Sequence, residues 1–547
     1  GCCLLMMYYT TVTGWMVSYF FKFLTGTFSQ GMATEAVSAV FGNLLSSPGE
    51  MAIWTEIVVL AGFVVCSFGL QNGLERITKG MMLALLVLIL VLAIHSLTLS
   101  GAAEGMKFTN AYTSSAICAP SRASVMTGLY AHKHGVIDNF TDIKEGTPLL
   151  GDCMHDAGYY CGYAGKWHVS PTLPPEGCGF DDGKPFMGYA FPGSGVFPHL
   201  VFNQPPDNVP NYYEEYLKEN GFENVDVSHG FLGDNPNLQI QEMFCKHEGP
   251  VESTIEYFVA HETNRLIDKA KEEDKPFFIW ANFWGPHSPS IVPEPYYSMY
   301  NPEDIPEHPS YCDDLLDKPY GYYLSEKMWG LGDYGWKGFQ EIAARYFGHC
   351  TMIDDMVGLI VDKLKAEGLY DDTIIIYSAD HGDCLGAHKL IEKGAFTFDE
   401  IYHIPMVVKG AGTKDNDSFV YLQEMMPTIL DVAGVKPPKP VDGESILPLM
   451  MGEAESNGRT EIYGEYHNHF YVARQRMVRD HDYQLTFNES ERGELYDLKK
   501  DPYQLHNVCY DPAYADVKKK YLEIMSRYMK ETKDPAGTWF HRIKDFY

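Results

Sequence analysis

Apolar and polar positions divide this chain into two regimes. Residues 1–24 are almost wholly apolar, interrupted by Lys22. A second apolar run covers residues 51–70 and is broken by Glu56. A third covers residues 80–99, where Leu, Val and Ile follow one another as far as His95. About 20 residues of helix span a bilayer core, so the pattern predicts about three transmembrane-type helices within residues 1–104. Beyond Phe108 the pattern changes. Short apolar runs at 277–282, 373–378 and 404–410 read as strands, and the stretches 253–272 and 341–367 read as helices. Such alternation predicts an α/β fold with a largely parallel sheet sandwiched by helices. Residues 182–250 and 296–338 are rich in turn formers and read as loop-bearing insertions, the first a substrate-recognition region. Past residue 455 short strands lead to a terminal helix near 514–530, a smaller C-terminal α+β subdomain. The expected division is 1–104, 105–454 and 455–547.

Charge follows the same division. Residues 1–100 carry only Lys22, Glu35, Glu50, Glu56, Glu75, Arg76 and Lys79, whereas the whole 547-residue chain has a formal charge of −31. An acidic chain of this kind is not built to bind nucleic acid, which needs a basic face. An anionic substrate would have to be drawn by local positive charge. The twelve cysteines are scattered without a CxxC pair. That excludes a zinc ribbon or disulfide scaffold and fits a reduced compartment or core thiols.

Local positive charge and a nucleophile coincide at Cys118-Ala-Pro-Ser-Arg122, which runs on into Thr127-Gly128. Pro120 is compatible with a first helical turn, so the stretch predicts a helix that begins near Cys118. The N–H groups and dipole at that end favour an anion, and Arg122 adds a fixed charge. The reading is a reactive side chain that faces an anionic substrate. The alternative for a single cysteine is a small buried core residue.

Two further strings carry chemistry. Asp380-His381-Gly382 follows the strand-like run at 373–378, where sites in open α/β sheets gather. Asp380 and His381 could ligate a hard divalent ion, or form no more than an Asx turn with a surface histidine. Gly165-Lys166-Trp167-His168 places a compact cation beside a proton carrier, or else an exposed lysine and a packed histidine at a strand end. His132 and His134 read as structural; His388 stays ambiguous.

The Cys-x-Pro-Ser-Arg…Thr-Gly string resembles the signature of the type I sulfatases, in the alkaline phosphatase superfamily. The Gly-Lys-Trp-His string, Pro286-His287-Ser-Pro289 and Glu392-Lys393-Gly fit the same resemblance. It implies that a maturation enzyme oxidises Cys118 to Cα-formylglycine, whose hydrate attacks sulfur. It further implies that Arg122 holds the hydrate, Lys166 and His168 contact it, and His287 and Lys393 serve the sulfate and the leaving oxygen. Asp380, His381 and the modified Cys118 would be ligands of Ca2+. The implied substrate is a sulfated small molecule or carbohydrate, with a phosphodiester or phosphonate monoester as the alternative. Sulfatases open with a strand ending in an Asp-Asp pair, but residues 1–117 contain no Asp. The expected fold therefore lacks its usual first strand and half its metal shell, and little activity is expected.

Residues 1–108 are similar to the central helices of sodium-coupled neurotransmitter symporters, through Gly14-Trp15 and Gly73-Leu-Glu-Arg76. The chain then reads as a chimera joined near Glu104–Phe108, inactive as a transporter. It would lie at a membrane through residues 1–100, with the catalytic part otherwise cytoplasmic-like and no secretory signal in view.

Overall fold

The computed structural model describes residues 105–547 apart from 187–211, 223–224, 226, 229–243, 330–334, 413–414 and 470–472; before residue 105 it describes only Lys22 and Ile53. The chain divides into two compact units, Gly1–Ala103 and Glu104–Tyr547. The three apolar runs of the first unit lie outside the described residues. Among the described residues no helix is long and apolar enough to cross a membrane. The expected membrane location, with its transmembrane-type helices, is corrected accordingly.

In the second unit, β1 (Gly105–Tyr112), β2 (Tyr160–Lys166) and β3 (Asp182–Phe186) are followed by β4 (Val227–Ser228) and β5 (Phe244–His247). Next come β6 (Phe277–Asn282), β7 (Ser290–Val292), β8 (Ile375–Ser378), β9 (Met406–Lys409) and β10 (Asn416–Tyr421). The described strands form two central groups, ordered β3-β2-β6 and β10-β1-β9-β8. The first group is wholly parallel. In the second, β1 is parallel to β10, but β9 runs antiparallel to both β1 and β8. The sheet is therefore mixed rather than largely parallel. The apolar run at 404–410 carries no sign of its direction; β9 follows β8 after loops that hold two short helical turns, Ala387–Lys389 and Asp399–Tyr402, with no long crossover helix between them.

Three helices matter for the site: α1 (Cys118–Thr127), α2 (Ile255–Glu272) and α3 (Gly335–Ala366). The structure lengthens the expected 341–367 helix by more than a turn at its start. Helix α1 is buried along its whole length. Ala119, Ala123 and Met126 pack into a cluster with Cys161, Tyr163 and Trp167. Gly165, next to last in β2, has φ 96°, and a Cβ there would lie 2.0 Å from the Asn282 carbonyl oxygen, so only glycine lets β2 meet the end of β6.

The C-terminal part is an antiparallel sheet of β11 (Ile462–His467), β12 (Arg474–Arg479), β13 (Tyr483–Asn488) and β14 (Glu494–Asp497). Helix α4 (Ala515–Thr532) shares an apolar cluster with it through Tyr521, Met525 and Met529. The Glu465 N–H donates to the Ser114 carbonyl at 2.8 Å, four residues before Cys118.

Candidate active site

Helix α1 begins at Cys118, with Ile117 in extended conformation as its N-cap. The Ala119 N–H of that first turn donates to the Asn139 side chain at 3.0 Å. An anion at this helix end would therefore depend on side chains more than on that N–H. Helix α1 ends at Gly128, whose φ of 65° suits glycine.

Cys118 is 1% exposed. His381, just past β8, brings Nε2 to 3.2 Å from its sulfur, and His287, past β6, brings Nε2 to 3.9 Å. His168, past β2, hydrogen-bonds the same side chain. Ends of three strands thus converge on one sulfur. Burial alone would raise this thiol, but Lys166, Lys393 and His381 bring it well below the usual cysteine range. Burial lowers His168, partly offset by its contact with Cys118. Burial would also lower His381, but Asp380 and Cys118 raise it above the ordinary histidine value.

The imidazoles are oriented by backbone. His287 Nδ1 lies 2.5 Å from the Ser288 carbonyl oxygen, and His381 Nδ1 lies 2.8 Å from that of Gly382. A carbonyl only accepts, so both Nδ1 atoms carry protons and both Nε2 atoms face the sulfur. Lys393 Nζ contacts His287 Nε2 and is 2.7 Å from Glu392 Oε2. Lys166 is buried, with Nζ 4.7 Å from the Trp284 ring centroid.

Arg122 ties the ends of β2 and β8 to α1. Its Nε donates to Trp167 O at 2.8 Å and its Nη2 to Lys166 O at 2.5 Å. Nη2 also donates to the Tyr163 hydroxyl at 3.2 Å, and Nη1 lies 3.4 Å from Asp380 Oδ2. Burial would raise the Asp380 carboxyl, but His381, Lys166 and Arg122 outweigh it and hold it at about 2.

The eight residues expected at the site, Cys118, Arg122, Lys166, His168, His287, Asp380, His381 and Lys393, are therefore brought together. The others lie elsewhere. His134 pairs with the Ser124 hydroxyl at 3.0 Å, and His132 with Glu465 at 2.8 Å. His388 stacks on Phe398 at 3.7 Å and bonds Asp313 at 2.6 Å. Asn139, Trp284, Glu392 and His469 were missed. Burial pushes His469 down to about 4, with Lys393, Cys118 and His168 among the charges that act on it. Glu392 stood next to Lys393 and could have been noticed as its counter-charge; Asn139 and His469 carry no local signal.

Calcium takes six to eight oxygen ligands. The described residues around Cys118 do not match that demand: the cluster of possible ligand atoms is Cys118, His287 and His381, one sulfur and two nitrogens. Asp380 adds a carboxylate, already engaged by Arg122. Calcium is therefore not fitted by these side chains.

The family described as Sulfatase matches residues 94–435, and that described as N-sulphoglucosamine sulphohydrolase, C-terminal, matches residues 386–531. The chain is 29% identical over 451 residues to the uncharacterized sulfatase YidJ of Escherichia coli, covering 80% of this chain and 82% of that one. It is 25% identical over 478 residues to an N-acetylglucosamine-6-O-sulfatase of Bacteroides thetaiotaomicron, covering 79% and 81%. Its fold is similar to that of a phosphonate monoester hydrolase of Agrobacterium radiobacter, with a TM-score of 0.63 at 24% identity over 79% of this chain and 90% of the other. With nearly two thirds of its length matched by the family, and its lysines and histidines gathered on one cysteine, the chain belongs to the sulfatase family of sulfuric ester hydrolases.

Proposed function

We propose that the chain hydrolyses a sulfate ester of a carbohydrate at Cys118, after a maturation enzyme has converted that residue to formylglycine. The convergence of Lys166, His168, His287, His381 and Lys393 on the Cys118 sulfur carries this reading. The family generally uses formylglycine and a metal ion. The converted residue would supply a hydroxyl nucleophile for sulfur.

The remaining roles belong to side chains of this chain. Lys166 and Lys393 balance the charge of the sulfate oxygens in a buried space, where such charges act strongly. Lys393, in contact with His287 Nε2, and His287 itself are placed to protonate the leaving oxygen. His168, with a lowered pKa, takes a proton at the nucleophile when sulfate is expelled. Arg122 positions the nucleophile helix. No step is assigned to calcium.

Turnover is expected to be low, because the carboxylate pair that opens the family's fold has no counterpart in residues 1–117. The carbohydrate class is supported by the relative that acts on N-acetylglucosamine 6-O-sulfate. Sulfate release from a panel of sulfated monosaccharides, with Cys118→Ala as the blank, tests the reading. Turnover unchanged in that variant would end it. The phosphonate ester alternative is favoured by the fold of its structural neighbours alone; faster cleavage of a phenyl phosphonate than of a phenyl sulfate would favour it over ours. The junction near residue 104 is read as a fusion to a symporter-like piece, which long-read sequencing of the gene would test.

A further inference from the structure

The cluster that fails to fit calcium fits a different ion. Cys118 Sγ, His287 Nε2 and His381 Nε2 all lie within 4.8 Å of one another. One thiolate and two imidazoles are soft and borderline ligands, of the kind that select zinc over calcium. In tetrahedral zinc sites, bonds of about 2.3 Å to sulfur and 2.0–2.1 Å to nitrogen separate S from N by roughly 3.6 Å. The two separations here, 3.2 and 3.9 Å, bracket that value.

A second observation concerns orientation. Each imidazole is fixed by donating Nδ1–H to a backbone carbonyl, of Ser288 and of Gly382. That turns both Nε2 atoms toward the point the sulfur faces, His287 Nε2 also in contact with Lys393, the arrangement by which outer partners commonly preset metal-binding histidines. Asp380 Oδ1 lies 3.9 Å from His381 Nε2 but is not among the three clustered ligand atoms. The two imidazole side chains keep 10% and 7% of their surface exposed.

From this geometry we infer that the unconverted, thiol form of the chain binds one zinc ion through Cys118, His287 and His381. On binding, the thiolate sulfur and the two Nε2 lone pairs form the bonds to zinc, and any proton held on that sulfur or on either Nε2 leaves to solvent. Lys393 is the built-in competitor, since its Nζ contacts the His287 nitrogen that would turn to the metal. Conversion of Cys118 removes the sulfur and with it the site. The inference concerns the thiol form and does not rest on the sulfatase reading.

The test uses the full chain produced without the maturation activity, with the Cys118 thiol verified by mass spectrometry and metal stripped by a chelator. Zinc affinity is measured by competition with a colorimetric chelator, and cobalt serves as a spectroscopic probe. One equivalent of cobalt should give a thiolate-to-metal charge-transfer band and intense tetrahedral visible bands. His287→Gln and His381→Gln should each weaken zinc about tenfold to a hundredfold, while Cys118→Ser abolishes the charge-transfer band. Lys393→Gln should tighten zinc binding. Circular dichroism of each metal-free variant separates loss of ligand from loss of fold. A wild-type chain that binds no zinc, or a Cys118→Ser variant with undiminished affinity, would overturn the assignment. Failure of sulfate-ester turnover in the converted chain would leave this result untouched, and the reverse holds too.

Discussion

Replacing Arg122 by methionine keeps the volume of the side chain and removes everything that joins α1 to the strand ends. Four interactions go: with the carbonyls of Trp167 and Lys166, the Tyr163 hydroxyl and the Asp380 carboxylate. Two carbonyl groups lose a charged donor, and Asp380 loses one of the three cations that hold its carboxyl down. Breaking a buried ion pair from one side costs about 3–5 kcal/mol, and these terms overlap rather than add, so the variant should lose about that much. Arg122→Lys keeps the charge but cannot span two carbonyls and a carboxylate at once; about 1.5–3 kcal/mol is expected. Urea unfolding followed by tryptophan fluorescence reads both. With a slope of roughly 3 kcal/mol/M or more for a unit this large, the methionine variant should unfold about 1 M earlier. A midpoint shift under about 0.3 M would refute the claim that Arg122 anchors the helix.

Three other outcomes follow from buried groups. Burial pushes the Glu400 carboxyl up to about 7. A carboxyl raised in the fold costs nothing below its free value and destabilises increasingly as pH climbs toward 7, so Glu400→Gln should add on the order of 2 kcal/mol at pH 8 and nothing near pH 4, as read by urea midpoints. Arg476 donates Nε to Asp534 at 2.5 Å and Nη2 at 3.0 Å. Arg476→Leu leaves that buried carboxylate without its guanidinium and should cost about 3–5 kcal/mol, measured as a fall in the thermal midpoint. The metal-free thiol form should be alkylated at Cys118 with a pH midpoint below the usual cysteine value, whereas burial raises Cys161 and Cys178 to about 12; peptide mass spectrometry over a pH series checks this.

Much of the site was legible because several of its side chains sit in short strings at the ends of apolar runs. Lys166 ends β2, and His287 and His381 follow β6 and β8, the strand ends where sites of such sheets gather. Strand direction itself was not legible: nothing in Met406–Lys409 marks it as antiparallel. Asn139 and His469 reach the site from loops, where no periodicity reports position. The first hundred residues misled in the opposite way. The membrane location inferred from their hydropathy is not supported, since no helix among the described residues is long and apolar enough to cross a membrane.

The N–H of Glu465 fastens β11 to the loop before Cys118, and its carboxylate receives His132 and His467 at 2.8 and 2.9 Å. Arg476 and Asp534 extend the same network to the end of α4. A protease or a cloning design that cuts at residue 454 would thus strip counter-charges from the floor of the nucleophile loop. The C-terminal sheet works as a keystone for the reaction centre, and the two segments cannot be exchanged between relatives as independent cassettes.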